Sequence, residues 1–398
     1  MLPNNKNLIN PHNRLKIMNK WKIPLYRVNT NKEDVRAVSN VISRGMDWAN
    51  GPEILDFEKN LSNYVGTKYC VTFNSGTSAL HASLLASGIS LNDEVIVPSF
   101  SFIATVNSVL MVNAKPVFVD IENERFGIDP KKIESLISKK TKAIIPVHYA
   151  GLACKIKEIS DICRENNLTL IEDAAESLGS TTDNKPVGQF GDLSVFSFAG
   201  NKVLTTGEGG AVVTNSKKLF DKLILLRSHG RKELTNYFTS NSNPEYVSLG
   251  YNWRISSMTA ALANSQLRRL NKLIDMRRKN AKYLTSKLKQ IKEIQVPYES
   301  QFDKHVFQIY SIVLVNSKLR NGLLKHLTQK GIMTKIFFLP IHKSKFYKSL
   351  KLNNLQFLTN TEKISNSILS LPMYPDLKKD ELNYISDSIK EFFESKSN

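Results

Sequence analysis

Lys202 is the residue whose setting most suggests chemistry. It lies in Gly200-Asn201-Lys202-Val203-Leu204-Thr205-Thr206-Gly207-Glu208-Gly209-Gly210, a polar, glycine-rich connection between the apolar runs 193–198 and 211–214. Two strands that hold one lysine on the loop between them can shield its amine from water. A neutral amine attacks a carbonyl carbon and forms a Schiff base. With 55 Lys and Arg in the chain, a loop lysine taken alone is more often a solvated surface residue. Its meaning depends on what the fold places beside it.

Three further segments supply such company. Asn74-Ser75-Gly76-Thr77-Ser78-Ala79-Leu80 follows an apolar run and opens a helical pattern. Free N–H groups at a helix start, with Gly for close approach, bind phosphate; the same Ser and Thr also serve as ordinary caps. Ile171-Glu172-Asp173-Ala174-Ala175-Glu176-Ser177-Leu178-Gly179 closes another strand pattern. A carboxylate there pairs with a buried cation such as a protonated pyridine nitrogen, keeping the ring electron-withdrawing, or it belongs to a solvated acidic turn. Pro98-Ser99-Phe100-Ser101-Phe102-Ile103-Ala104-Thr105 puts aromatic side chains after a third strand. There a flat ring finds a stacking partner, or Phe102 fills the core. A phosphate site, a stacking aromatic, a carboxylate for a ring nitrogen and a Schiff-base lysine are together what pyridoxal 5′-phosphate requires.

The elements that must position these residues follow from apolar spacing. Helices are expected at 33–43 and 53–64. Strands are expected at 69–73, 94–98, 116–120, 142–147 and 168–172, with helices at 78–86, 104–112, 130–138 and 156–165 between them. Repeated strand–helix units predict an α/β fold with a mostly parallel sheet flanked by helices. Its ligands bind beyond the strands' C-terminal ends. One long helix over 256–291 leads into a smaller α+β unit, with strands at 306–315 and 333–338 and helices at 319–329 and 379–393. The expected division is an extended polar arm over 1–30, a large domain over 31–270 and a small C-terminal domain over 271–398.

Composition narrows the classes. Across 398 residues, 41% are hydrophobic and 23% charged, ordinary for a globular protein. No apolar run approaches the roughly 20 residues of a membrane span, and the polar start Met1-Leu2-Pro3-Asn4-Asn5-Lys6-Asn7 lacks a signal-peptide core. A cytoplasmic protein is expected, with no membrane partner. Cys70, Cys154 and Cys163 form no CxxC pair and read as structural thiols. The net charge of +19 invites nucleic acid as a partner. Residues 271–398 hold 23 Lys and Arg against 11 Asp and Glu, so 12 of the 19 excess charges lie there, spread singly. No dense basic block, zinc-ligand spacing or RNA-binding aromatic motif accompanies them, so nucleic acid and metal are set aside. A basic surface still suits an anionic small molecule such as a nucleotide diphosphate.

The chain resembles the DegT/DnrJ/EryC1/StrS sugar aminotransferases, fold type I pyridoxal-phosphate enzymes. The likeness runs from about 22 to 390. Beyond the segments above it includes Asn50-Gly51-Pro52, Phe57-Glu58, Val147-His148-Tyr149-Ala150-Gly151, Gly250-Tyr251-Asn252-Trp253-Arg254, Leu339-Pro340-Ile341-His342 and Ser370-Leu371-Pro372-Met373-Tyr374-Pro375. The resemblance implies that Lys202 is the covalent anchor, that Asp173 faces the pyridine nitrogen and that Glu176 lies near the ring's 3′-oxygen. It implies that Phe102 stacks on the ring and that Gly76 and the amides of Thr77 and Ser78, helped by Ser197, hold the phosphate. Asn252 is expected to reach the cofactor phosphate of a neighbouring subunit, making a homodimer with shared sites. His342 is expected near the sugar substrate, and His148 is read as a core histidine without a role. The implied reaction moves an amino group from an amino acid, L-glutamate by analogy, to a keto group of a nucleotide-linked deoxysugar, for surface polysaccharide or amino-sugar biosynthesis. Asp47-Trp48-Ala49-Asn50-Gly51-Pro52 and Glu176 are similar to the perosamine-synthase-like branch that acts on 4-keto-6-deoxy sugars. Related dehydratases carry His in place of the lysine, so Lys202 weighs for amino transfer. A catalytically silent regulatory homologue is the third reading. The stretch Arg231–Tyr246 is expected to be a substrate loop.

Overall fold

In the structure, a computed structural model, residues 21–232, 243, 245–350 and 358–397 are described. Most of the expected substrate loop and residues 1–20 of the expected arm lie outside them.

Two helices open the fold, α1 (Lys32–Arg44) and α2 (Pro52–Val65). Alternation then follows through β1 (Tyr69–Phe73), α3 (Gly76–Ala86), β2 (Glu94–Pro98), α4 (Ala104–Met111), β3 (Lys115–Val119), β4 (Thr141–Ile144), α5 (Ile156–Glu165) and β5 (Thr169–Asp173). The short strands β6 (Thr181–Thr182) and β7 (Lys185–Pro186) precede β8 (Leu193–Ser197), β9 (Gly210–Thr214) and α6 (Lys217–Arg227). Seven strands form one sheet in the order β1-β9-β8-β5-β4-β2-β3. Neighbours from β8 through β3 pair in parallel, and β9 runs antiparallel to both β8 and β1. Both faces are buried, as parallel sheets require. Val71, Val95, Ile171, Val195 and Val212 pack on one side, and Cys70, Ile96, Leu170, Phe196 and Val213 on the other. Alternation within each strand assigns each residue to its face. The three cysteines are buried and free.

Beyond the sheet come α7 (Ser257–Arg268) and α8 (Leu270–Leu288), then β10 (Ile294–Gln295), β11 (Asp303–Lys304), β12 (Tyr310–Leu314), α9 (Arg320–Gln329), α10 (Lys345–Ser349), α11 (Thr359–Ser367), β13 (Ile368–Leu371) and α12 (Lys379–Ser397). Strands β10, β12 and β13 form a second sheet. Residue 271 falls in the first turn of α8. Leu270 and Ile274 of that helix join the core behind the large sheet, whereas Ala281, Leu284 and Leu288 join the core of the second sheet. Ile341, Tyr347 and Leu358 return to pack against the large sheet.

Three expectations need correction. The single helix over 256–291 is two helices, because Arg269 leaves helical geometry while its guanidinium bonds Asn29 O at 2.7 Å and Asp34 Oδ2 at 2.5 Å. The helix over 130–138 is two three-residue turns, with Ile133, Leu136 and Ile137 each donating three residues back; the apolar spacing of three suits that tighter winding. The strand over 333–338 is reduced to a bridge from Lys335 to Ser370. Its later carbonyls are met by side chains instead, Phe337 O by Tyr149 Oη at 2.6 Å and Phe338 O by Ser365 Oγ at 2.8 Å. The described end of the arm is a bound strap. Ile23, 1% exposed, bonds Gly331 O and receives Met333 N–H.

Candidate active site

The ends of β1, β2, β5 and β8 meet on one side of the large sheet. Lys202 sits on the β8–β9 connection, whose turn is closed by Lys202 N–H to Ala199 O at 2.9 Å. From the far side, Gln308 Nε2 donates to Asn201 O at 2.7 Å. Lys202 Nζ lies 3.6 Å from Glu176 Oε1, with the two side chains 14% and 10% exposed. The second Glu176 oxygen accepts Ala150 N–H at 2.9 Å. Ala150 adopts φ 59°, a left-handed conformation costing an alanine about 1 kcal/mol. The amide it aims at Glu176 fixes the carboxylate that faces the lysine.

Asp173 ends β5 and is 4% exposed. Thr105 Oγ1–H donates to its Oδ2 at 2.7 Å and Ala175 N–H to its Oδ1 at 3.2 Å. Burial pushes this carboxyl upward, and that outweighs the opposing pull of Thr105, Ala175, Lys202 and His148. A buried carboxylate so placed gains most from a cationic partner. Phe102 is 61% exposed, its ring 6.4 Å from that of Phe338. It is therefore not a core residue but presents a face at the site.

Helix α3 starts where β1 ends. Ser75 caps it, its Oγ accepting Ser78 N–H at 3.1 Å, while Ser78 Oγ turns back to Asn74 Oδ1 at 2.7 Å. The amide of Ser78, expected to face a phosphate, is thus engaged by the cap. Gly76 and Thr77 carry the first-turn amides with no acceptor among the described residues. A Cβ on Gly76 would meet Ser197 Cβ at 3.0 Å, and one on Gly210 would meet Ser75 O at 2.5 Å. The cradle is built on glycine at both points, and the Ser197 hydroxyl stands beside the helix start.

Other expected residues lie elsewhere. His148 is fully buried, with Nε2 3.0 Å from Glu172 Oε2 and Nδ1 accepting Cys154 N–H at 3.2 Å. The proton is on Nε2, and the ring belongs to the supporting layer. His342 is 4% exposed. Ser99 Oγ accepts its N–H at 3.1 Å and meets its Nδ1 at 2.7 Å, and its Nε2 meets Glu362 Oε1 at 3.2 Å. Burial lowers this imidazole's proton affinity despite Glu362. Asn252 is exposed and bridges Ser228 through its backbone, and the carbonyl of the next residue, Trp253, accepts Asn74 N–H at 2.8 Å. Two residues gained no role from the sequence. One is Thr105, distant in sequence from Asp173. The other is Glu172, which accepts from Gly188, Phe190, Gly191, Ser194 and His148.

The model of the DegT/DnrJ/EryC1/StrS aminotransferase family matches residues 28–390. The GDP-perosamine synthase of Vibrio cholerae is 35% identical over 373 residues, 93% of this chain and 99% of the relative. The solved structure of Helicobacter pylori PseC, described as an aminotransferase involved in the biosynthesis of pseudoaminic acid, superposes with a TM-score of 0.87 at 31% identity, covering 94% of this chain and 99% of that one. The Bacillus subtilis NtdA structure, solved with the cofactor PMP, gives a TM-score of 0.82 at 28% identity, covering 92% of this chain and 83% of that one. The chain belongs to the DegT/DnrJ/EryC1/StrS aminotransferase family. It is an aminotransferase of fold type I, and its cofactor is pyridoxal 5′-phosphate. Among the described residues no helix is long and apolar enough to cross a membrane.

The residues present fit that cofactor. A glycine-built helix start offers free amides, an exposed aromatic offers a face, a buried carboxylate lacks a full cationic partner, and a shielded lysine stands 3.6 Å from Glu176.

Proposed function

We propose that this enzyme moves an amino group from an amino acid, L-glutamate, to a keto group on a nucleotide-linked deoxysugar, and that Lys202 performs the proton transfers. The observation that carries the reading is the cluster itself: Lys202 Nζ 3.6 Å from Glu176, with the buried Asp173 electrostatically coupled to the lysine. The cofactor, when bound, supplies an aldehyde that exchanges amines and a ring that withdraws electrons from the substrate carbon. Lys202 would hold it covalently, and once freed its amine would act as the base and acid that takes up and returns the proton of the substrate α-carbon. Asp173 would pair with the ring nitrogen, Glu176 would orient the lysine, and Phe102 would offer the ring a stacking face. The amides of Gly76 and Thr77 and the Ser197 hydroxyl bind the phosphate.

A groove of about 420 Å³ leads away from Phe102, lined also by Ile103, Leu339, Lys343, Ser344 and Glu362. Its size lies within the roughly 300–1,000 Å³ of ordinary ligand pockets. An apolar floor with the Lys343–Glu362 ion pair at the rim supports the acceptor's binding there. The test is a half-reaction. Protein loaded with pyridoxamine phosphate is offered a panel of nucleotide-linked keto-sugars, and one of them gains nitrogen while the cofactor's aldehyde returns. A keto-sugar that loses a hydroxyl without gaining nitrogen would overturn the reading.

The active unit is proposed to be a homodimer, with Asn252 acting on the partner's site. This is supported by its exposure. Asn252→Ala should weaken cofactor retention and activity. Mixing and re-annealing Asn252→Ala with Lys202→Ala subunits should restore activity above either alone, because one site of each mixed dimer then carries neither defect. Mixtures no more active than their parents would count against shared sites.

A further inference from the structure

Thr105 and Ser101 make a hydroxyl relay that ends on Asp173. Thr105 Oγ1 lies 2.7 Å from Asp173 Oδ2 and 2.7 Å from Ser101 Oγ. All three side chains are almost wholly buried, at 1%, 4% and 3% exposure for Thr105, Asp173 and Ser101. An ionised carboxylate only accepts. Thr105 therefore donates to Asp173, and its oxygen accepts from Ser101. Each donor polarises the next, so the chain is stronger than two separate bonds. Its outer member, Ser101, forms part of the wall of the groove beyond Phe102.

The relay answers a mechanical need. The carboxyl torsion of an aspartate is broad and two-fold, so burial alone does not aim its lone pairs. The Asp173 backbone is held, with its N–H on Pro146 O at 2.9 Å and its carbonyl accepting His148 N–H at 3.1 Å. The side chain is then gripped from two elements, Oδ1 by Ala175 and Oδ2 by Thr105. Thr105 is one turn from Phe102, whose carbonyl accepts Thr105 N–H at 3.2 Å. One helical turn therefore carries both the stacking face and the group that aims the carboxylate.

We propose that Thr105, with Ser101 behind it, is a positioning residue that orients the Asp173 carboxylate toward the cofactor's ring nitrogen. The inference rests on the proposed role of Asp173. It is tested on apoprotein by titrating pyridoxal 5′-phosphate, following protein fluorescence, with thermal unfolding of each apo variant measured in parallel. Thr105→Val keeps the shape and removes the hydroxyl. It should weaken cofactor binding about tenfold or more, the scale of one lost hydrogen bond to a charged group. Thr105→Ser should bind within about threefold of the unmodified protein, since it keeps the donor. Ser101→Ala should weaken binding in the same direction by less. Equal weakening in the Val and Ser variants would show that packing alone matters and overturn the inference. So would unmodified affinity in Thr105→Val. Failure of the unmodified apoprotein to take up the cofactor would instead refute the reading of the site.

Discussion

Lys202→Ala should lower turnover by more than about 10³-fold and leave a protein that borohydride no longer labels with cofactor. Removing a positioned general acid–base alone costs about 10²–10⁴-fold, and this change also removes the covalent anchor. The fold should survive it. The loop's turn is held by backbone bonds, Lys202 N–H to Ala199 O and Phe198 N–H to Gly209 O at 2.8 Å, and by Gln308 on Asn201 O. No part of that frame uses the amine. Cofactor should still bind non-covalently through the helix start, Asp173 and Phe102, so the variant separates binding from chemistry. Lys202→Arg sharpens the distinction by keeping a cation beside Glu176 without a usable nucleophile, and it should be equally inactive. The measurement is the single-turnover rate with L-glutamate, with mass spectrometry of the borohydride-treated protein. A Lys202→Ala enzyme that turns over at the unmodified rate would sink the mechanism.

The sequence made the site's chemistry legible because its members are anchored to strand ends. Asp173, Lys202, Gly76 and Phe102 each follow an apolar run that had to be a strand, and parallel strands deliver their C-terminal ends to one side. Phe102 shows the boundary of that logic. Its position was readable, but whether it stacked or filled the core depended on the 338–344 segment, far along the chain. His342 shows the same boundary. The resemblance implied a place near the sugar substrate, and the partners that hold both ring nitrogens, Ser99 and Glu362, come from distant segments. The helix break at Arg269 was illegible because its cause, the contacts to Asn29 and Asp34, is tertiary. Glu172 was hidden in plain view. It stands next to Asp173, and a strand's alternation puts the two side chains on opposite faces, so only one of them could serve the site.

Glu172→Gln should destabilise the protein by about 2–5 kcal/mol, the cost of leaving at least two buried donors unsatisfied at about 1–3 kcal/mol each. Oε1 accepts from Phe190 N–H at 2.8 Å, Gly191 N–H at 2.7 Å and Ser194 Oγ–H at 2.7 Å, and Oε2 from Gly188 N–H and His148 Nε2–H at 3.0 Å each. Five donors and no competing acceptor suit a carboxylate alone. A glutamine must turn its NH₂ toward one set or the other, leaving at least two donors facing a donor. Burial pushes the Glu172 carboxyl up, but His148, Ser194 and Gly191 outweigh it and hold it below the usual range. A depressed folded-state value means that the group's stabilisation is present above the unfolded carboxyl's value, about 4.3. It is lost as pH falls through the folded value. The gap between unmodified and Glu172→Gln proteins in urea unfolding should therefore be widest near neutrality and close on acidification below that value. Because Glu172 ties the 188–191 turn and His148 to the strand that carries Asp173, the variant should also lose cofactor affinity before it unfolds. A gap independent of pH would mean that shape, rather than the ionised carboxylate, is what the five donors require.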